Sequence, residues 1–167
     1  MQRKESKVAA LVRIYSKLRR KGLFGHEKSL TANNLALLEG INFAFLCLDR
    51  GRAKRAIVDW LVAHSVPFID VGMGITRSES GLQGIVRLVT STHDRRDVIA
   101  RRMAFGADDE AENEYATNIQ IAELNALNAS LAVLRWKRLV GFYRDAGREH
   151  FTSYQIATGE LCNEDQL

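Results

Sequence analysis

The sequence predicts an α/β fold: a parallel strand pair joined by a helix, continued by an antiparallel strand and backed by one long helix. Three observations carry this expectation. Residues 43–48 read Phe-Ala-Phe-Leu-Cys-Leu without alternation, as a strand covered on both faces does, and residues 66–71 form a second apolar strand. Between them, residues 52–64 place Ile57, Trp60 and Leu61 at helical spacing. A strand, a helix and another strand of this kind imply parallel pairing with a right-handed crossover. The longest periodic stretch, residues 117–142, reads as a single helix.

The remaining elements follow in chain order. Ser6 is placed to cap a first helix in which Val8, Leu11, Val12, Tyr15 and Leu18 share a face, and Gly22 ends it. Residues 23–30 read as a loop. Thr31 is the expected cap of a short helix that runs to Glu39 and stops at Gly40. Asp49 closes the first strand. Pro67, the only proline, stands at the start of the second strand, where a missing donor does least harm.

Gly72, Gly74, Gly81 and Gly84 come next. No G-x-G-x-x-G follows a strand and no G-x-x-x-x-G-K-[ST] occurs, so these glycines are assigned to tight turns rather than to a phosphate cradle. From Leu82 to Thr90 the residues alternate: Leu82, Val86 and Leu88 point one way, and Gln83, Ile85, Arg87 and Val89 the other. That is the pattern of a half-exposed, antiparallel strand. Residues 93–113 read as a charged crossover with an acidic stretch, Asp108, Asp109, Glu110, Glu112 and Glu114.

The long helix has two apolar stripes on nearly opposite sides. One is Leu124, Leu127, Leu131 and Leu134; the other is Ala122, Ala126, Ala129, Val133, Trp136 and Val140. Such a helix is either central or faces a partner subunit. A short strand over 151–156 closes a single domain spanning 1–167.

Composition excludes several classes. At 167 residues, 46% hydrophobic and 26% charged, the chain has the length and content of one folded domain with its own core. Twenty-four basic against 20 acidic residues leave a net charge of +4, too balanced to imply nucleic acid. The densest basic run, Lys17, Arg19, Arg20 and Lys21, suits the end of a helix. No apolar run is long enough to span a membrane, and residues 1–7 are too charged for a secretion signal. Two distant cysteines, Cys47 and Cys162, suggest neither a disulfide framework nor a zinc site and point to a reducing cytoplasm. His26, His64, His93 and His150 are scattered without metal-ligand spacing.

One carboxylate stands out. Asp49 follows a buried parallel strand at its C-terminal end, where open α/β sheets bind ligands. Two readings are equally open: a Mg²⁺ ligand that clamps nucleotide phosphates, or the N-cap of the helix that begins near Arg52. Arg50, Arg52, Lys54 and Arg55 could neutralise phosphate, although by themselves they are read first as a solvated first helical turn. Cys47, inside the apolar run, is read as a core residue rather than a nucleophile.

Taken together, Phe45-Leu46-Cys47-Leu48-Asp49, then Arg55 with Ile57, then Pro67-Phe68-Ile69-Asp70-Val71-Gly72 and Gly84-Ile85-Val86-Arg87 resemble the ThiF/MoeB and ubiquitin-activating-enzyme superfamily. The stretch YATNIQIAELNALNASLAVLRWKRLVGFY (115–143) is similar to that of bacterial stand-alone ThiF-family proteins, and Lys7-Val8 to the start of the family's second helix. The resemblance implies a partial Rossmann-like sheet with an antiparallel extension and a long dimer-interface helix. It implies ATP-dependent adenylation of the C-terminal carboxylate of a ubiquitin-like or sulfur-carrier-like protein. Asp49 would hold Mg²⁺, Lys7 would contact phosphate and Arg55 would lie near it. A homodimer through 117–142 is implied as well.

The sequence departs from the family pattern. The family's first strand and Gly-rich loop would precede residue 1, so the expectation is a C-terminal portion with impaired nucleotide binding. Asp49-Arg50 replaces the family's Asp-Asn, Arg55 stands one residue late, and no cysteine occupies 93–113 to form a thioester. A dimerising, protein-binding module without catalysis is the alternative.

Overall fold

A computed structural model describes residues 5–19, 21–48, 51–103, 105 and 121–166. The elements are α1 (Lys7–Tyr15), a 3₁₀ turn (Leu35–Leu38), β1 (Ala44–Leu46), α2 (Arg52–Ala63), β2 (Phe68–Ser78), β3 (Gly81–Ser91), α3 (Asp97–Arg102), α4 (Ala122–Leu139), β4 (Phe151–Gln155) and β5 (Glu160–Glu164). The five strands form one sheet in the order β1-β2-β3-β4-β5. β1 and β2 are parallel, with Ala44 opposite Phe68 and Leu46 opposite Asp70. Every other pair is antiparallel. The α/β class, the parallel pair and the antiparallel extension are therefore as expected.

Consecutive residues of a strand point to opposite faces, and here each face has its own core. Phe68 and Val89 join Leu46, Phe151, the α2 residues Ile57, Val58 and Leu61, and Val98 of α3. Their chain neighbours Ile69 and Leu88 join Ala132 of α4, with Leu131, Trp136 and Leu139 packed around them. The sheet is thus covered on both sides, and that explains why the consecutive residues Phe68 and Ile69 of β2 are both apolar and both buried. It also corrects one expectation: β3 is exposed only near the hairpin, and from Leu88 to Ser91 it is buried throughout.

The glycines are the second correction. Only Gly81 sits at the β2–β3 turn, with a φ of 126°. Gly72, Gly74 and Gly84 lie within the strands, and β2 runs seven residues beyond Val71 to Ser78. Gly84 is required there by close approach, since a Cβ on it would stand 2.0 Å from the Gly74 carbonyl oxygen.

α1 is capped by Ser6, whose hydroxyl accepts from the Ala9 amide, as expected. Its expected apolar face is only partly covered, however: Val8 and Val12 are half-buried, while Leu11, Tyr15 and Leu18 are exposed. The short helix is a single 3₁₀ turn whose N-cap is Asn34 and not Thr31; the Asn34 side chain makes no capping bond to the helix and instead accepts from the Thr31 amide upstream. The long helix is described from Ala122 to Leu139, and residues 117–120 lie outside the described residues. Its sheet-facing line is Asn128, Ala132 and Arg135, flanked by Leu124 and Leu131, while Val133, Leu134 and Val140 face outward.

Two elements had not been expected. α3 lies within the predicted crossover, and β5 pairs with β4 from Phe151–Glu164 to Gln155–Glu160. They are tied together by charge: the Arg102 Nε is 2.7 Å from Asp165 Oδ2, and the Arg101 Nη1 is 2.8 Å from Asp165 Oδ1. The acidic stretch Asp108 to Glu114 lies outside the described residues.

His150 gives the core a pH dependence. Its ring is buried, and Nδ1–H donates to the Thr90 carbonyl at 2.9 Å. Burial pushes its pKa below the ordinary 6.5, against the pull of that hydrogen bond. The ring is therefore neutral in the fold but charges readily in the unfolded chain. Its contribution to stability is full above about pH 6.5 and is lost as the pH falls through that value toward the lowered one. Thermal unfolding should show Tm falling on acidification from pH 7.5 to 5, with a shallower slope in His150→Gln. Equal slopes would place the titrating group elsewhere.

Candidate functional site at the end of β1

β1 stops at Leu46, opposite Asp70, while β2 and β3 continue as a hairpin. This leaves a step at the C-terminal end of the parallel strand, the place where α/β sheets take ligands. α2 begins beside it. Its N-cap is Gly51 at a φ of 125°, and the Gly51 amide donates to the Phe105 carbonyl at 2.7 Å. Asp49 is therefore not the cap residue, because the chain turns into the helix at a positive φ that glycine alone adopts readily. Asp49 itself, like Arg50, lies outside the described residues.

The side chains at the step form a buried charge cluster. Lys54 shares the inner line of α2 with Ile57, Val58 and Leu61. Its ammonium reaches Asp70 Oδ1 at 2.6 Å, with the two side chains 2% and 0% exposed. It also donates to the Leu48 carbonyl at 3.4 Å. Arg87 approaches the other oxygen of Asp70 at 3.7 Å and donates to the Arg102 carbonyl at 3.3 Å. Burial pushes the Asp70 carboxyl upward, opposed first by Lys54 and then by Arg87. A carboxylate so placed stays in the interior only because cations accompany it. On the far side of the sheet, the Asn128 amide donates to the Gly72 carbonyl at 3.1 Å, just past the last residue of β2 that β1 pairs.

The residues singled out from sequence fare unevenly. Lys54 had been grouped with a solvated first turn and is in fact buried. Arg55 projects outward, 3.4 Å from Asp59, with its guanidinium 4.5 Å from the Phe105 ring centroid. Lys7 opens α1 and is exposed. Among the described residues no ion pair or hydrogen bond joins Lys7 to Arg55. Cys47 is outside the core, because β1 ends one residue before it. Its thiol is pushed up by burial against neighbouring atoms and by Asp70, so it is not an activated nucleophile.

Asp70, Arg87 and Asn128 had no assigned role. Each carries a signal that periodicity overlooks: a charge or an amide at a position whose neighbours are core. Among the described residues, no three His, Cys, Asp or Glu side chains converge on a common point, and no helix is long and apolar enough to cross a membrane. Neither a family model nor a curated protein sequence matches this chain.

Proposed function

We propose that the chain is an adenylyltransferase of the ThiF type that binds Mg-ATP at the end of β1 and activates the C-terminal carboxylate of a ubiquitin-like or sulfur-carrier-like protein. The observation that carries the reading is the cationic step at the end of β1, three residues before Asp49, in a strand–helix–strand unit resembling that family's. In the reaction, a carboxylate oxygen of the partner protein attacks the α-phosphorus of ATP. The bond to the bridging oxygen breaks, and pyrophosphate leaves with its electron pair. Such chemistry needs alignment of the two anions and neutralisation of charge.

Magnesium fits this site through one carboxylate only. Asp70 is already flanked by two cations, Lys54 and Arg87, in a fully buried position, so a third cation there is disfavoured by their charge. Mg²⁺ would therefore rest on Asp49, phosphate oxygens and water, a mode common for this ion, and when bound it neutralises phosphate charge. Lys54 anchors the Leu48 carbonyl next to that residue. Lys7 and Arg55 remain the further phosphate contacts implied by the resemblance, and a cytoplasmic location goes with it.

Calorimetric titration of ATP with and without Mg²⁺ tests the assignment. Binding should tighten with Mg²⁺ in the parent chain, and Asp49→Ala should remove that gain, about tenfold or more, while Mg²⁺-free affinity stays. The same Mg²⁺ gain in Asp49→Ala would sink the role.

A second reading is a dimerising module without catalysis. It is favoured by Val133 on α4 and Val140 at its C-cap, 44% and 56% exposed, with Leu134, 47% exposed, bordering a groove with Leu161 and Asn163. The partner would be a second copy joined through α4. A monomeric mass by sedimentation at high protein concentration would exclude it.

A further inference from the structure

Among the described residues, the charge cluster at the end of β1 holds two cations and one carboxylate. Lys54 and Arg87 flank a single carboxylate, Asp70, at 2.6 and 3.7 Å. Among the described residues the three groups therefore sum to one uncompensated positive charge. Lys54 and Asp70 are fully enclosed, and the Arg87 side chain is 19% exposed. Charge removed from water is costly unless a counter-charge accompanies it, so this arrangement favours an anion from solution.

Arg87 is where that anion can enter. Its Nη1 is taken up by Asp70 and by the Arg102 carbonyl. Its Nε and Nη2 have no acceptor among the described residues. Both lie against Gly72, where an added Cβ would stand 3.0 Å from each. The bare backbone of Gly72 makes room for the flat guanidinium, whose fork geometry matches an oxyanion. The Arg87 cluster lies at the C-terminal end of a parallel strand, where this class of sheet takes nucleotides.

We propose that Arg87, held by Asp70 and backed by Lys54, is an oxyanion-binding residue and that its ligand is the phosphate chain of a nucleotide. The nucleotide identity rests on the adenylation reading above; the oxyanion site does not.

The test is calorimetric titration of pyrophosphate into the full chain, without divalent cations and at constant ionic strength. Saturable binding is expected. Arg87→Gln should weaken it about tenfold or more, and Arg87→Lys, which keeps the charge but loses the fork, by less. Gly72→Ala should also weaken it, because the new Cβ displaces the guanidinium while the strand remains. Circular dichroism confirms that each variant is folded, and Gly72→Ala carries the test if Arg87→Gln is not. No saturable binding by the parent chain, or unchanged binding in Arg87→Gln and Gly72→Ala alike, overturns the proposal. Pyrophosphate bound through Arg87 without any Mg-ATP binding separates the two ideas: the oxyanion site then stands, and the nucleotide assignment falls with the adenylation reading.

Discussion

Lys54→Met should lower the unfolding free energy by about 3–5 kcal/mol, the range measured when one partner of a buried ion pair is removed. Methionine preserves most of the stem that lies along Ile57, Val58 and Leu61, so little of the loss would come from packing. What remains among the described residues is Asp70 at 0% exposure with Arg87, 3.7 Å away, to balance it. The contact between Lys54 and the Leu48 carbonyl is lost at the same time. Urea denaturation at pH 7 measures the effect. The double variant Lys54→Met/Asp70→Asn should recover much of the loss, because an uncharged amide no longer needs the ammonium. A loss under about 1 kcal/mol in the single variant would mean that water or another cation reaches Asp70, and the buried pair would not be what holds this end of the sheet together.

Gly84→Ala should be the other large effect, set against a neighbour that is nearly silent. The new Cβ would meet the Gly74 carbonyl oxygen at 2.0 Å and the Ile75 Cα at 3.0 Å. These are backbone atoms, so no side chain can turn away, and the β2–β3 ladder itself must open. Overpacking of this kind costs about 1–3 kcal/mol, which for a domain of this length is roughly 2–12 °C in Tm. Gly74→Ala adds its methyl where nothing lies within 4 Å, and alanine suits a strand better than glycine. Scanning calorimetry on the two variants decides the matter. Similar Tm shifts would show that strand propensity, not the close approach, governs this hairpin.

Much of the architecture was legible before the structure. The apolar runs at 43–48 and 66–71, the helix between them and the alternation from Leu82 to Thr90 are local signals, and each contains the expected kind of element, although β1 spans only Ala44–Leu46 and leaves Phe45 and Leu48 exposed. The misreadings have local causes too. The glycines after Val71 resembled turn residues because nothing nearby shows that a partner strand passes close to them. β5, Glu-Leu-Cys-Asn-Glu, carries no apolar alternation of its own and is a strand because β4 pairs with it. α3 is six residues long, with Asp97 in its first turn and Arg101 and Arg102 in its last. That charge order suits a helix, but it was hidden within a charged segment.

The candidate site divides along the same line. The sequence by itself determined that a strand ends near Asp49 and that cations follow it, since chain order and residue type are all such a statement needs. Only the tertiary structure decided that Lys54 turns inward while Arg55 turns out, and that Asp70 and Arg87 complete a buried cluster with it. It also decided that Leu11, Tyr15 and Leu18 on the apolar face of α1 stay exposed. The reason is physical: periodicity records which residues share a face, whereas the fate of a charge depends on what another segment places opposite it.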